Sequence, residues 1–482
     1  MPSASKPGPH RYFVHVLIWA LCSAGIGVAL RYGQQGTRSS RPDPASVIQV
    51  LPSPKAQLPP AWPDLMHHPG KSLGQLVLQM AVILMATGIV GALFRKLGQP
   101  AVVGEILAGI LLGPSLLGWL WPGGSSFIFS GPSVQLLRLL SQVGVAIYMF
   151  AIGMEIEPES FRGGARPALL ISQASIAVPF MFGVIVALGL YVPYAGAGAS
   201  FLAFALFLGI AFSMTAFPVM ARIIEERGIS KTTVGLNALA AAAIGDASAW
   251  AILALVVALA RSQPMATTLV ELGLIVALVA FMLVTVRPRL PVWLKVRYLP
   301  AERAPPKVAI RVVIFFAASA MATQLLGIHA LFGAFLAGAI LPRHKALLHL
   351  GKRVERVSRT ILLPLFFAFS GLRTYVGALD GLQPWLVCIG ILIVSTLAKI
   401  GSTMATARLE GMGWRESMSF GALMNSRGLM ELIALNVGYD LGIVSPSLFV
   451  MLVLMGLIAT FLTGPLLDLI ESRGEPAVPP IS

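Results

Sequence analysis

Thirteen apolar stretches follow one another along the chain, each near the ~20 residues that an α-helix needs to cross a bilayer. They cover 73–93, 100–118, 134–153, 167–191, 200–223, 232–260, 267–286, 307–326, 328–342, 359–374, 384–407, 416–437 and 446–470. Apolar residues run on within them without the alternation of a half-buried strand, and most charges fall in the intervals. The pattern predicts an all-α polytopic membrane protein with about 13 core transmembrane helices, set in the lipid bilayer of a cell membrane, inner or plasma. One more apolar segment, Phe13 to Leu30, precedes the core, with Lys6 and Arg11 before it and Arg31 after. It reads as a signal anchor or a signal peptide over residues 1–31, its small residues Cys22, Ser23, Ala24 and Gly25 permitting cleavage. Residues 32–72, rich in Pro, Ser and Gln, read as a disordered connector. The membrane domain then occupies 73–470, and 471–482 form a short tail.

Composition supports this. Hydrophobic residues make up 56% of the 482 and charged ones 11%, against about 25% charged in soluble domains. The net charge of +15 does not point to nucleic acid, because the basic residues sit in short loops between apolar segments. If the core segments alternate, Arg95, Lys96, Arg162, Arg166, Arg222, Arg227 and Lys231 fall on one side. The groups 287–307 and 343–359, with Arg408, Arg415 and Arg473, join them, while Lys71, Arg261 and Arg373 fall on the other. The positive-inside rule then places the start of the core outside and the C-terminus in the cytoplasm. Cys22 and Cys388 both lie in apolar segments, which offers no disulfide framework. No metal-ligand cluster and no cofactor motif appears in the sequence, so no resident cofactor and no enzyme activity is expected. His67 and His68 are adjacent in a Pro-rich loop and read as solvated.

Candidate chemistry lies inside the membrane. Asp246 stands near the centre of 232–260, where an ionised side chain costs roughly 2.5–3.5 kcal/mol even on insertion scales. It reads either as interhelical glue or as a functional carboxylate, and a mid-membrane Asp favours the second. Lys399, at similar depth in 384–407, is its candidate charge partner. Pro218 interrupts "AFSMTAFPVMARIIEERG", with the hydroxyls of Ser213 and Thr215 on the approach. A second interruption, "MNSRGLMEL", crowds Asn425, Ser426, Arg427, Gly428 and Glu431 into 416–437. Taken singly, Pro218 reads as a kink, and Arg427 with Glu431 as an i,i+4 ion pair. Taken together, two interrupted segments seven apart, each beside a charged one, point to inverted repeats around a transport site. A protease of the intramembrane aspartyl class fits poorly: its Gly-x-Gly-Asp pattern fails at Ala243, and Asp440 falls in a predicted loop.

Six stretches then resemble the monovalent cation:proton antiporters, a group that includes sodium/proton exchangers, glutathione-gated potassium efflux antiporters and plant cation/proton exchangers. They are "QPAVVGEILAGILLGPSLLG" (99–118), "VGVAIYMFAIGMEI" (143–156), "SMTAFPVMARIIEERG" (213–228), "GDASAW" (245–250), "GIHALFGAFLAGAILPR" (327–343) and "MNSRGLMELIALNVG" (424–438). The resemblance implies a core domain with two crossed, interrupted helices, a second domain used for homodimerisation, and alternating access between them. It implies Asp246 as the carboxylate that takes Na+ or K+ in exchange for H+, Thr215 at the first helix break, and Lys399 as the basic residue facing the site. The sequence departs from the family at Gly245, where an Asp or Asn is usual. Lys399 then pairs with Asp246, with a backbone carbonyl, or with nothing, and a single carboxylate favours electroneutral exchange. A cation channel or a Na+-coupled solute symporter of similar architecture is the alternative.

Overall fold

The computed structural model describes residues 9–36, 69–129, 133–155, 166–229, 232–260, 265–300, 304–326 and 330–471. Most of the expected connector and the tail from 472 lie outside them. Helix α1 (Pro9–Gly36) contains the N-terminal apolar segment and extends into the start of the connector. There follow α2 (Pro69–Lys96), α3 (Ala101–Leu112), two short helices α4 (Leu117–Leu120) and α5 (Pro122–Ile128), and α6 (Ser133–Glu155). Next come α7 (Arg166–Tyr194), α8 (Phe201–Ser213), α9 (Phe217–Glu226), α10 (Thr233–Ala260), α11 (Met265–Phe281) and α12 (Arg287–Trp293). The chain continues through α13 (Pro306–Leu325), α14 (Ala330–Ala339), α15 (Lys345–Val357) and α16 (Leu363–Leu372). It ends with α17 (Leu382–Leu409), α18 (Trp414–Met424), α19 (Leu429–Asp440) and α20 (Pro446–Glu471). Single wider turns, Met282–Val286 and Ser358–Leu362, join α11 to α12 and α15 to α16. Ten helical stretches among the described residues are long and apolar enough to cross a membrane. Segment 200–223 is divided between α8 and α9, and 416–437 between α18 and α19.

The helices sort into two bundles. In one, α7 packs on α8, α10 and α17, and α18 packs on α17 and α20. In the other, α2, α3, α6 and α13 to α16 pack among themselves. Contacts between the bundles are sparse and run chiefly through the turn Val376–Ala378 with α20, α3 with α20, and α16 with α19. We refer to the first as the core bundle and the second as the scaffold bundle; α1 lies against α7 and α8 of the core.

The core consists of one motif used twice: a long helix, a broken helix, a long helix. The copies are α7–α8/α9–α10 and α17–α18/α19–α20, and they are inverted. The loop before α8 meets the loop after α19, with Gly196 N–H donating to Ile443 O (3.0 Å) and Ser445 N–H to Tyr194 O (3.0 Å). At the opposite end Arg227, just after α9, donates to Gly464 O (3.0 Å) and pairs with Asp468 (2.8 Å), both near the end of α20.

Small residues let the scaffold helices approach closely, which is how helices associate where lipid offers no hydrophobic contrast. A Cβ at Gly109 of α3 would stand 2.2 Å from Ala368 O of α16, and one at Gly371 would stand 2.4 Å from Ile106 O. Neither backbone can yield without separating the pair. Gly109→Ala is therefore expected to destabilise the purified protein by about 1–3 kcal/mol, the usual cost of overpacking. Gly390→Ala on α17, where nothing lies within 4 Å, should melt at or slightly above wild type. Equal melting of the two variants would show that this crossing tolerates a wider spacing.

Candidate functional site

Both broken helices stop where their sequence stops favouring helix. After Ser213 the chain turns extended, with Met214 at φ −63°, ψ 142°. It re-enters helix at Phe217, so Pro218 is the second residue of α9. There its missing N–H costs no intrahelical bond, and its role is to start a helix, not to kink one. The second break ends at Gly428, whose φ of 155° and ψ of −120° exclude residues with a side chain. A Cβ there would also lie 2.9 Å from Val219 Cγ2 on α9.

The breaks lie against each other. Ala216 N–H donates to Ser426 O (3.0 Å), and the Thr215 hydroxyl donates to Met424 O (3.2 Å), at the carbonyl end of α18. Thr460 of α20 accepts from Arg427 N–H (2.8 Å) and donates to Arg427 O (2.7 Å), holding the second break from behind.

A helix interrupted in mid-membrane leaves its last carbonyls without intrahelical donors. Two buried cations meet them at α8. Arg427 Nη1 donates to Ala211 O (2.7 Å) and Nη2 to Phe212 O (2.9 Å). Lys399 Nζ donates to Ser213 O and to Ser175 O (2.9 Å) of α7. Both side chains are 0% exposed, and both place positive charge at the negative end of the helix dipole. Of the three fates open to Lys399, the structure shows the carbonyl one. Arg427 also pairs with Glu431 one turn on (3.3 Å), the ion pair that their spacing suggested.

Asp246 is 4% exposed, and among the described residues neither of its oxygens accepts a hydrogen bond of normal geometry. It lies beside the Phe217 backbone at the start of α9, with the Lys399 side chain nearby. Among the described residues it forms no ion pair. Such a carboxylate is tolerable in low dielectric when protonated, or when ionised beside a cation it can hold. Oxygen ligands for a hard cation are at hand. Ser213 Oγ and Thr215 Oγ1 spend only their protons, on Ile210 O and Met424 O. Asn425 Oδ1 and Ser426 Oγ are buried without partners.

Sequence reasoning missed Ser172 and Ser175 of α7. A Cβ at Gly245 would lie 3.3 Å from Ser172 Oγ, itself buried and unpartnered. Gly245 thus faces the α7 wall where Lys399 is anchored. The only signal was "SQAS" (172–175), a polar patch in an apolar stretch.

Three comparisons place this arrangement among known proteins. The family model described as "Sodium/hydrogen exchanger, transmembrane" matches residues 81–470. The chain is 39% identical over 398 residues to the Na(+)/H(+) antiporter NhaS4 of Synechocystis sp., covering 81% of this chain and 96% of that protein. It is 32% identical over 414 residues to K(+)/H(+) antiporter 1 of Saccharomyces cerevisiae, covering 84% of this chain and 47% of that one. It spans about half the length of the plant and yeast relatives that it matches. The solved sodium proton antiporter MjNhaP1 of Methanocaldococcus jannaschii shares the fold, with a TM-score of 0.60 at 14% identity over 83% of this chain and 97% of that one.

The geometry assigns Arg427 a structural task, and that is testable without a transport assay. Arg427→Met strips two carbonyls and one carboxylate of their donor, so a loss of about 3–5 kcal/mol is expected in unfolding of the purified protein. Adding Glu431→Gln removes the stranded charge and should recover part of it. If the double variant is no more stable than Arg427→Met, the ion pair is not what Arg427 supports.

Proposed function

The chain belongs to the sodium/hydrogen exchanger family, and on that premise we propose that it exchanges a monovalent cation, Na+ or K+, for protons at one carboxylate, Asp246. The supporting observation is the burial of both Asp246 oxygens without a partner, at the point where two broken helices cross. One carboxylate binds a proton or a cation but not both, so occupancy by one excludes the other. The proton form and the cation form are both neutral at this position, and both suit transit through low dielectric. Thr215, Ser213, Asn425 and Ser426 supply oxygens to the cation, and Pro218 and Gly428 set the breaks that bring these residues to the crossing.

Lys399 serves as a structural group, its amine held by Ser175 O and Ser213 O, and not as a second exchanging site. Gly245 adds no second titrating group. Exchange is then one cation for one proton and electroneutral. The core bundle moves against the scaffold bundle, through which two copies form a homodimer, and the basic loops with the C-terminus face the cytoplasm. Family membership favours this reading over a channel or a solute-coupled symporter.

Proteoliposomes with a preset pH gradient test the proposal. Na+ or K+ is expected to collapse the gradient where choline does not, at a rate indifferent to a clamped membrane potential, and Asp246→Asn should abolish the response. Full activity in Asp246→Asn would remove the carboxylate from the mechanism. A rate that follows the imposed potential would refute electroneutrality, whereas Gly245→Asp is expected to introduce that dependence.

A further inference from the structure

A cavity of about 870 Å³ lies between α2, α3, α6, α15 and α16 and touches the core bundle at Val219 of α9; Asp246 is not among its lining residues. Its lining is divided. Arg95, at the end of α2, and Lys352, Arg356 and Arg359, on α15 and the turn after it, form a basic portion. Leu84 and Gly88 of α2, with Leu363 and Phe367 of α16, form an apolar portion. From Leu84 to Arg95 the helix rises ~16 Å, about half of a ~30 Å hydrocarbon core, which is one leaflet.

Among the described residues two carboxylates line the cavity, Glu105 and Glu355, and Glu355 pairs with Arg359 (3.4 Å). Among the described residues no ion pair reaches Arg95, Lys352 or Arg356. Helix α15 is amphipathic, burying Ala346, Leu347 and Gly351 while Lys352, Arg353 and Arg356 stay exposed. A second cavity of about 570 Å³ is lined by the same Lys352 and Arg356. Basic side chains at one end of an apolar slot one leaflet deep match one kind of ligand, a charged head with a hydrocarbon chain.

We propose that this cavity binds an anionic phospholipid, its phosphate held by Arg95, Lys352 and Arg356 and one acyl chain lying along Leu84, Gly88 and Phe367. A free phosphate compound shares the head chemistry but leaves the apolar portion unused. The bound anion offsets positive charge that would otherwise lower the local cation concentration beside the wall on which α9 moves. The site is independent of which cation is carried, and its test needs no transport.

The test is thermal melting of the full-length protein in neutral detergent, with dioleoylphosphatidylglycerol, dioleoylphosphatidylcholine or inorganic phosphate added at matched ionic strength. Phosphatidylglycerol is expected to raise the melting temperature by at least about 2 °C over phosphatidylcholine. Arg95→Gln/Arg356→Gln should lose that difference, and Arg289→Gln/Arg297→Gln, of equal charge change outside the cavity lining, should keep it. Gly88→Leu retains every charge and adds a side chain at a Cβ position with nothing within 4 Å; by filling the slot it should lose the difference too. Should the Arg95 and Arg356 variant fail to fold, Gly88→Leu decides alone. The proposal is overturned if the two lipids act alike in wild type, or if Gly88→Leu keeps the preference. A phosphate effect as large as that of phosphatidylglycerol would also overturn it, in favour of a small anion.

Discussion

The carbonyl end of α8 is the point on which the site depends. Ala211, Phe212 and Ser213 would be unpaired acceptors at membrane depth, each costing several kcal/mol in hydrocarbon. Arg427 and Lys399 pair them, and the guanidinium bonds of Arg427 are charge-assisted and of the stronger kind. Lys399 turns two of its three donors to Ser175 O and Ser213 O, and among the described residues no donor closes a hydrogen bond on the buried Asp246 carboxylate. The same lysine that caps the broken helix thus stands beside the carboxylate proposed to exchange a proton for a cation.

The arrangement of the bundles extends this logic to movement. Where two bundles touch sparsely, their relative position is set by few contacts, and the polar ones cluster at one end. Asp440 of the core pairs with Arg138 (2.8 Å) and Arg373 (2.5 Å) of the scaffold. Beside them Asn436 donates to Ser370 Oγ (2.9 Å) and accepts from Arg373 (2.9 Å). The cavity lined by Arg95 and Arg356 is formed by scaffold helices and meets the core at Val219.

Much of this was legible in the sequence. Apolar runs located the helices, Pro218 and "MNSRG" located both breaks, and the seven-segment offset anticipated the inversion, because each is a local feature of composition. What was not legible depends on contacts between distant parts of the chain. Arg427 reaches Ala211 across 216 positions, and Lys399 reaches Ser175 across 224. The i,i+4 rule found Glu431 for Arg427 but could not find two carbonyls on another helix. Ser172 escaped notice for the same reason: its relevance comes from facing Gly245, and a serine inside an apolar helix is ordinary by itself.

Competition at one carboxylate is the central claim, and proton release on cation binding measures it most directly. Purified protein in weakly buffered solution is titrated with NaCl or KCl against a choline control while the pH is followed. The account predicts about one proton released per cation bound, and none from Asp246→Asn. Cation binding without proton release, or release that persists in Asp246→Asn, would contradict it.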